Sequence, residues 1–365
     1  MIPAGLNDIT TDWLNEALHK TGLLKDIDIV SLEIQPMGVG EGFQSDMARL
    51  VPRYSRMVGN LPKTMIAKLP TSYEPANAVA MMFNTYEREI RFYAEVAKRS
   101  PLRTPGLIYC DFDSQVKRYA LILEDCSCYT QIDQIKGLDY EMTKTIALKL
   151  ADFHARWWDS KELDAFVWMP KPGDAIFTAF MGFYRTCWDV AVQSPDFLAA
   201  LPPGGREAGL KIYEHFAWLV EQTPGNHLTI SHFDFRGDNL FFDFGNKENP
   251  VIVFDWQAAN VNRGVIDLSY LLGGSISIDL RRRTEKEILK LYHQRLLTRG
   301  VSGYSFDECW FDYLRGTLVY AYIPVLAYSQ LDISDERGKR LATMLTQRHF
   351  GTIVDNNATS IFPSG

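Results

Sequence analysis

The stretch His232-Phe-Asp-Phe-Arg-Gly-Asp-Asn239 decides the fold of this chain, and Asp255 follows it sixteen residues later within Val-Ile-Val-Phe-Asp-Trp-Gln. The spacing H-x-D-x-x-x-x-N places a carboxylate and a carboxamide on one loop, and a second carboxylate arrives at the end of the next apolar strand. Phosphoryl-transfer enzymes use this arrangement for a base and for metal ligands. The spacing therefore predicts a phosphoryl-transfer site. A polar turn capped by Asp and Asn side chains is the alternative, because so short a pattern also arises by chance.

Three side chains of this stretch have predicted roles. Asp234 is expected to accept the proton of an attacking hydroxyl group. Asn239 and Asp255 are expected to hold Mg2+, which would neutralise charge on the transferring phosphate.

The composition limits the classes of partner. With 365 residues, 46% of them hydrophobic, the chain can bury one large core or two moderate ones. Its formal charge of −7, from 38 basic and 45 acidic residues, argues against a nucleic-acid partner, which would need a concentrated basic surface.

The cysteines and the apolar segments indicate a location. The five cysteines lack the paired spacings of a zinc site and suggest buried thiols in a reducing compartment. No signal peptide is evident at the start of the sequence. The apolar segment 316–331 contains Pro324 and is shorter than a bilayer requires, so a core helix is predicted there, with no membrane association. A cytoplasmic protein is expected, and the sequence does not indicate its oligomeric state.

The predicted elements change in character along the chain. A helix over 10–24 is expected to pack outside a first sheet, and an amphipathic helix over 141–158 opens a mostly helical remainder. Strands are predicted at 27–34, 48–54, 64–69 and 119–123. The sequence therefore predicts an α+β fold with a first lobe over 1–124 and a helical second lobe over 125–365.

The first lobe supplies a lysine and an acid partner for it. Lys68 lies near the end of an apolar strand, where a buried ammonium needs an anion, although a lysine that reaches the surface is the alternative. On a predicted helix over 82–96, Glu89 shares a face with Tyr86 and Tyr93, so its carboxylate points toward apolar packing and calls for a cation. Glu89 is predicted to pair with Lys68, and Glu87 is the second choice.

A glycine-rich segment lies between two predicted strands. Gly38, Gly40 and Gly42 precede Ser45, and glycines let backbone amides approach phosphate oxygens without obstruction by a Cβ atom. The segment lacks the ending of a Walker loop and does not lead from a strand into a helix, so a dinucleotide fingerprint does not fit either. A strand–loop–strand phosphate lid fits better.

Taken together, seven short patterns in this order resemble the aminoglycoside-phosphotransferase and choline-kinase superfamily. The likeness is nearest to its ecdysteroid-kinase-like (CHK-like) branch and to bacterial relatives, and it runs from about Gly38 to Asp267. The patterns are Pro62-Lys-Thr-Met-Ile-Ala-Lys68-Leu-Pro, Tyr86-Glu-Arg-Glu89-Ile-Arg-Phe-Tyr, Leu121-Ile-Leu-Glu-Asp125, Leu150-Ala-Asp-Phe-His-Ala, His232 to Asn239, Asp255-Trp-Gln and Gly264-Val-Ile-Asp267-Leu.

The resemblance implies a bilobal protein-kinase-like fold, with an antiparallel sheet and a helix in the first lobe, and ATP between the lobes. It implies that Lys68 contacts the α and β phosphates with Glu89 orienting it, and that backbone groups of the Leu121 to Asp125 connection, which includes Glu124, hold the adenine. Arg236 would stabilise charge in the transition state, and a surface salt bridge to Asp238 is the alternative. Asp267 is expected to anchor the catalytic loop. His154 is interpreted as a packing residue.

One departure from the family pattern is notable. Phe233 replaces the glycine usual between His and Asp, which could alter the backbone angles of the loop or place a ring under the metal site.

Two functions from different classes remain open. The first is an ATP-dependent phosphotransferase that acts on a hydroxyl of a small molecule. The second is a nucleotide-binding pseudokinase module, which is disfavoured because Lys68, Asp234, Asn239 and Asp255 are all retained. A protein kinase is not favoured, since Asp267 follows Asp255 too soon to leave room for an activation segment.

The resemblance places the acceptor on helices predicted at 175–192, 207–220 and 306–331, which are rich in aromatic residues. Acids are sparse in the first of these segments, whereas a polycationic aminoglycoside would call for a cluster of carboxylates. A lipophilic alcohol, steroid-like or aromatic, is the preferred acceptor. A choline-like cation in an aromatic cage is the alternative.

Overall fold

The computed structural model describes residues 1–37, 45–56, 59, 61–113, 115–116, 118–221, 225–330 and 335–363. The chain forms two compact units. The first holds residues 1–130 and 252–258, and the second holds 131–251 and 259–365. The expected boundary at 124 thus lies a few residues further along. The segment that carries Asp255 belongs to the first unit, although it comes late in the chain.

The described residues of the first unit include three α-helices and five complete strands. The helices are α1 (Thr11–Lys20), α2 (Glu74–Met82) and α3 (Thr85–Arg91), and one π-helical turn (Phe92–Val96) continues α3. The strands are β1 (Ile29–Met37), β2 (Ser45–Tyr54), β3 (Met65–Pro70), β4 (Leu107–Asp113) and β5 (Arg118–Glu124). They form one antiparallel sheet in the order β1-β2-β3-β5-β4, as expected for an α+β fold of the protein-kinase type.

The core of the first unit lies between α1 and one face of the sheet. Leu14, Ala17 and Leu18 of α1 are buried against apolar side chains of β1, β2, β3 and β5. Side chains alternate between the two faces of a strand. Because Met65, Ala67 and Leu69 of β3 face this core, Lys68 points to the opposite face.

One prediction for the first unit is wrong, and one of its strands was not predicted. The helix expected over 82–96 is interrupted, because Asn84 has a left-handed backbone (φ 53°) that separates α2 from α3. Strand β4 was not predicted, because its two aspartates weaken the usual strand signal.

The second unit is mostly helical. Its long helices are α4 (Tyr140–Trp157), α5 (Ala175–Ala191), α7 (Gly205–Glu221), α8 (Val265–Gly274), α9 (Ile278–Thr298), α10 (Phe306–Val319) and α12 (Glu336–Asp355), with shorter α6 (Pro195–Ala200) and α11 (Tyr322–Gln330). The remaining strands of the chain are β6 (Thr130–Gln131), β7 (Leu228–Ser231), β8 (Leu240–Phe242), β9 (Val251–Val253) and β10 (Asn260–Arg263). Helix α8 is buried along its whole length and packs against α10 and α12.

The helix predicted over 306–331 is also interrupted. Helix α10 ends at Val319, and α11 starts at Tyr322 with Pro324 in its first turn. Proline lacks an amide hydrogen and its ring clashes with the carbonyl four residues earlier, so a continuous helix would be broken here. Among the described residues, no helix is both long enough and apolar enough to cross a bilayer.

Candidate active site

Lys68 is the centre of a buried charge cluster in the first unit. Its Nζ donates to both carboxylate oxygens of Glu89, at 2.7 Å each, and to Oδ1 of Asp255 at 3.1 Å. The pairing of Lys68 with Glu89 is confirmed. Glu87, the second choice, instead binds Arg91 on the surface of the same helix.

The Asp255 turn is fixed to the helix that carries Glu89. The ring of Trp256 stacks on Phe92 with centroids 3.8 Å apart, and its Nε1 donates to the carbonyl of Val253 at 3.1 Å. The backbone amide of Trp256 also donates to the Glu89 carboxylate. Glu89 therefore orients both the lysine and the turn that presents Asp255.

The cluster has more negative than positive charge. Burial alone would lower the pKa of Lys68, but the attraction of the Asp255 and Glu89 carboxylates outweighs it and raises the pKa above its usual value. Lys68 is therefore a permanent cation. The side chain of Glu89 is 1% exposed and that of Asp255 is 19% exposed. Asp255 is thus the member of the cluster that solvent can reach, and a metal ion could reach it as well.

The glycine-rich segment and Ser45 were also predicted to bind the nucleotide. Gly38, Gly40 and Gly42 lie outside the described residues. Ser45 is buried, and its hydroxyl lies 2.6 Å from that of Tyr119, so the structure does not support contact of this hydroxyl with phosphate.

Glu124 is bonded through both its backbone and its side chain. Its amide donates to the carbonyl of Gly106 at 2.8 Å, and its Oε2 accepts from the amide of Gly106 at 3.0 Å. The backbone amide of Glu124 therefore already donates a hydrogen bond within the protein. A backbone contact between Glu124 and adenine would have to use the Glu124 carbonyl.

In the second unit, Asp267 organises the loop that follows β7. Its two carboxylate oxygens accept hydrogen bonds from Ser231 Oγ (2.7 Å), His232 N (2.8 Å) and Phe233 N (2.8 Å). Burial alone would raise the pKa of Asp267, but the hydrogen bond with His154 and the other contacts lower it. Asp267 therefore anchors this loop, as expected; that the loop is catalytic stays a prediction.

His154 contacts the buried carboxylate of Asp267. Its Nε2 lies 3.2 Å from Asp267 Oδ2, and its Nδ1 lies 2.8 Å from the hydroxyl of Tyr292. Gly264 allows this approach, because a Cβ atom at that position would lie 2.7 Å from Cγ of His154. His154 is a satisfied buried residue, as expected. Its contact with Asp267, the residue that anchors the loop, was not predicted from the sequence.

Phe233 has a left-handed backbone with φ 67°. Its amide is held by Asp267, and its carbonyl accepts from the hydroxyl of Tyr320 at 2.8 Å. Phe233 therefore does not impose new backbone angles on the loop. It has a positive φ, which glycine adopts easily, and two hydrogen bonds hold the bulky residue in this conformation. No sequence signal pointed to Tyr320 as the residue that does this.

Asp234 and Asn239 form a pair across the loop. Nδ2 of Asn239 donates to the Asp234 carbonyl and to Asp234 Oδ2, at 2.9 Å each. This fixes the amide orientation of Asn239, and its Oδ1 accepts no hydrogen bond from a described residue. The Asp234 carboxylate is about one-quarter exposed.

Arg236 forms the salt bridge that sequence analysis gave as the alternative. Its Nη1 lies 3.1 Å from Asp238 Oδ2 and 3.3 Å from Gln134 Oε1, and its Nε lies 3.4 Å from the Asp234 carboxylate. Asp238 in turn accepts the backbone amide of Gln134 at 2.9 Å. Arg236 is therefore held beside Asp234 by a second carboxylate.

The donor set suits a hard divalent cation. Carboxylate and carboxamide oxygens are the ligands that Mg2+ prefers, and Mg2+ commonly takes only one or two protein ligands and completes its shell with phosphates and water. Asp255, in the first unit, carries such oxygens, and Asn239, in the second unit, carries one. Metal binding by these two residues stays a prediction. Among the described residues, no group of three or more His, Cys, Asp or Glu side chains could hold a metal ion.

Comparisons with known proteins bear on both units. The ecdysteroid kinase-like family model matches residues 39–300. A comparison with curated protein sequences found no significant match.

Among solved structures, a putative aminoglycoside phosphotransferase from Ralstonia eutropha JMP134 is 15% identical with a TM-score of 0.55, over 94% of this chain and 97% of that chain. A choline kinase from Cryptosporidium parvum Iowa II is 10% identical with a TM-score of 0.57, over 95% and 96%. The GDP complex of wild-type aminoglycoside 2'-phosphotransferase-IIIa is 16% identical with a TM-score of 0.53, over 92% and 99%. At these identities the likeness shows the fold alone.

Proposed function

The chain belongs to the ecdysteroid kinase-like family, and on that premise we propose that it transfers the γ-phosphate of ATP to a hydroxyl group of a small molecule. The observation that carries this proposal is the Lys68 cluster. A buried lysine bonded to both oxygens of one carboxylate, and to a second carboxylate that solvent can reach, is the arrangement that kinases use to hold a triphosphate and its metal.

On the nucleotide side, Lys68 contacts phosphate oxygens while Glu89 keeps its ammonium in place. Asp255 and Asn239 would hold Mg2+, which would neutralise charge on the transferring phosphate. The structure does not describe the glycine-rich segment at 38–42, so its contact with phosphate stays a prediction from sequence.

On the acceptor side, Asp234 is the base. Its carboxylate takes the proton of the acceptor hydroxyl as the acceptor oxygen bonds to the γ-phosphorus. The bond from phosphorus to the bridging oxygen breaks, and ADP leaves with that electron pair. The Asn239 amide, which donates to Asp234, holds the carboxylate in position. Arg236 lies 3.4 Å from the Asp234 carboxylate. We propose that its guanidinium stabilises the charge that develops in the transition state.

The preferred acceptor is a lipophilic alcohol. Helix α11 has no charged residue, and α5 has one arginine and one aspartate. A polycationic acceptor would find no cluster of carboxylates on these helices.

The direct test is ADP release by the full chain with ATP and Mg2+ across three acceptor classes: a steroid alcohol, choline and kanamycin. We expect acceptor-dependent ADP release with the steroid alcohol. Nucleotide binding without acceptor-dependent turnover for any of the three would contradict the proposal and favour a pseudokinase module.

A further inference from the structure

Three partly exposed aromatic side chains meet beside the base in the second unit. The ring of Phe180 on α5 lies edge-on to that of Tyr322 on α11, with centroids 4.7 Å apart, and edge-on to that of Phe233 at 6.5 Å. Phe233 directly precedes Asp234 in the chain. Neighbouring aromatics such as Tyr184, Tyr270 and Tyr320 are almost fully buried, whereas these three keep part of their surface exposed.

Phe233 keeps its ring in this group at a conformational cost. A bulky residue with φ 67° is an outlier, and such backbone strain persists where the surroundings enforce it. Asp267 and Tyr320 hold both backbone groups of Phe233. The loop could adopt this backbone more easily with glycine, but glycine would leave the group without its third ring.

The charges around the three rings indicate the kind of ligand. Asp234 follows Phe233 directly in the chain, and its carboxylate and that of Asp238 are both within 3.4 Å of the Arg236 guanidinium. A bound cation would therefore face a fixed positive charge and carboxylates that are already paired. The hydroxyl of Tyr322, the only polar atom of the three side chains, forms no hydrogen bond with a described residue.

Resting on the proposed function, we infer that Phe233, Phe180 and Tyr322 form an aromatic wall that selects an uncharged acceptor with a flat apolar face. Phe233 is the specificity-determining residue, because it joins the wall directly to the base. An acceptor stacked on the wall would present its hydroxyl group to Asp234.

The wall can be tested without turnover. Binding of 2-(2-naphthyl)ethanol to the full chain is measured by saturation-transfer NMR in the absence of nucleotide. We expect the Kd to rise about tenfold in Phe233→Gly and in Phe180→Ala, which is the size of one lost aromatic contact. Phe311→Ala is the matched control, because this partly exposed phenylalanine lies on α10 outside the wall. Its Kd should equal that of the wild type.

Glycine is at ease with a φ of 67°, so Phe233→Gly should fold with a melting temperature close to that of the wild type. An unchanged Kd in both wall variants would overturn the inference. Choline that binds more tightly than the naphthyl alcohol, and loses affinity in the same variants, would also overturn it in favour of a cation cage.

Turnover separates this inference from the proposed function. An acceptor that is phosphorylated with the same KM by Phe233→Gly, Phe180→Ala and the wild type would support the proposed function and contradict the role of the aromatic wall. Conversely, if the naphthyl alcohol binds at the wall and no acceptor is phosphorylated, the wall stands and the proposed function fails.

Discussion

Two residues of the candidate site share an uncommon backbone conformation. Phe233 and Asp255 both lie in the left-handed region, with φ of 67° and 66°. Aspartate tolerates this region better than most residues do, whereas phenylalanine does not. Strained backbones cluster at functional sites because the surrounding structure must hold them. Here the strain places one carboxylate at Lys68 and one ring beside Asp234.

At Asp234, the change to Asn should separate binding from turnover. The new side chain keeps an oxygen that can accept from Asn239, so the loop should retain its shape. It cannot take a proton, and loss of a general base commonly costs about 10²–10⁴-fold in rate. We expect turnover to fall at least a hundredfold while calorimetry shows an unchanged Kd for ATP with Mg2+. Retained turnover would remove Asp234 from the role of base.

His349 on α12 is a buried histidine that the fold requires to be neutral. Burial, helped by the neighbouring Arg348 charge, lowers its pKa from 6.5 to about 3. Its Nε2 has no hydrogen-bond partner among the described residues. The unfolded chain therefore binds a proton here at a pH where the folded chain does not.

This difference predicts a pH dependence of stability. Because the folded pKa is depressed, the destabilisation is absent above the unfolded pKa of 6.5 and grows as the pH falls toward 3. Between pH 7.5 and 5.5 we expect His349 to remove about 1 kcal/mol from the free energy of unfolding, measured with urea. His349→Gln should be less stable overall, but its free energy of unfolding should fall less over the same interval. Equal falls in both proteins would show that His349 does not contribute.

At the scale of elements, the second unit fixes the loop after β7 from the N-terminal part of α8. Strand β10 pairs with β7 and leads into α8, and Asp267 in the first turn of α8 reaches back to three donors at the end of β7. The backbone just before Asp234 is therefore held by hydrogen bonds to the buried side chain of Asp267 and not only by contacts within the loop.

Removing the Asp267 charge should release that loop. Asp267→Asn replaces an acceptor-only side chain with one that also donates, and it faces three donors. We expect the free energy of unfolding to fall by about 3 kcal/mol at pH 7, with turnover falling too. Because the folded pKa lies below the usual 3.8, this contribution is present at neutral pH and is lost as the pH falls through the folded pKa. Asp189→Asn, at an exposed position on α5, should change stability little. A similar loss in both variants would contradict the anchoring role.

Sequence patterns predicted those parts of this arrangement that depend on local order. The inward face of Glu89 follows from the spacing of Tyr86 and Tyr93, whereas the link from Asp267 to the loop was expected only from the family resemblance. The hydrogen bond from Tyr320 to Phe233 and the contact of the Ser45 hydroxyl with Tyr119 join residues distant in sequence. Tyr320 and Phe233 are 87 positions apart, and no periodicity in either segment indicates that they meet.

At the scale of the whole molecule, the late segment 252–258 belongs to the first unit. It brings Asp255 to Lys68, 187 positions earlier in the chain. The Lys68 cluster is therefore complete only when a segment that follows Asp234 in the chain has folded into the first unit. A fragment that ends before 252 would lack the carboxylate that we propose as a metal ligand, and it is not a suitable sample for nucleotide binding.

The most direct test of the account is a thermal-shift titration of the full chain with ATP, ADP and GTP, each with and without Mg2+. We expect ATP to stabilise the chain only with Mg2+, by about 2.7 kcal/mol at a hundred times its Kd. Asp255→Asn is the matched variant, because asparagine accepts a left-handed backbone, and it should lose the Mg2+-dependent part. Stabilisation by no nucleotide, or the same Mg2+-dependent shift in Asp255→Asn, would contradict the account.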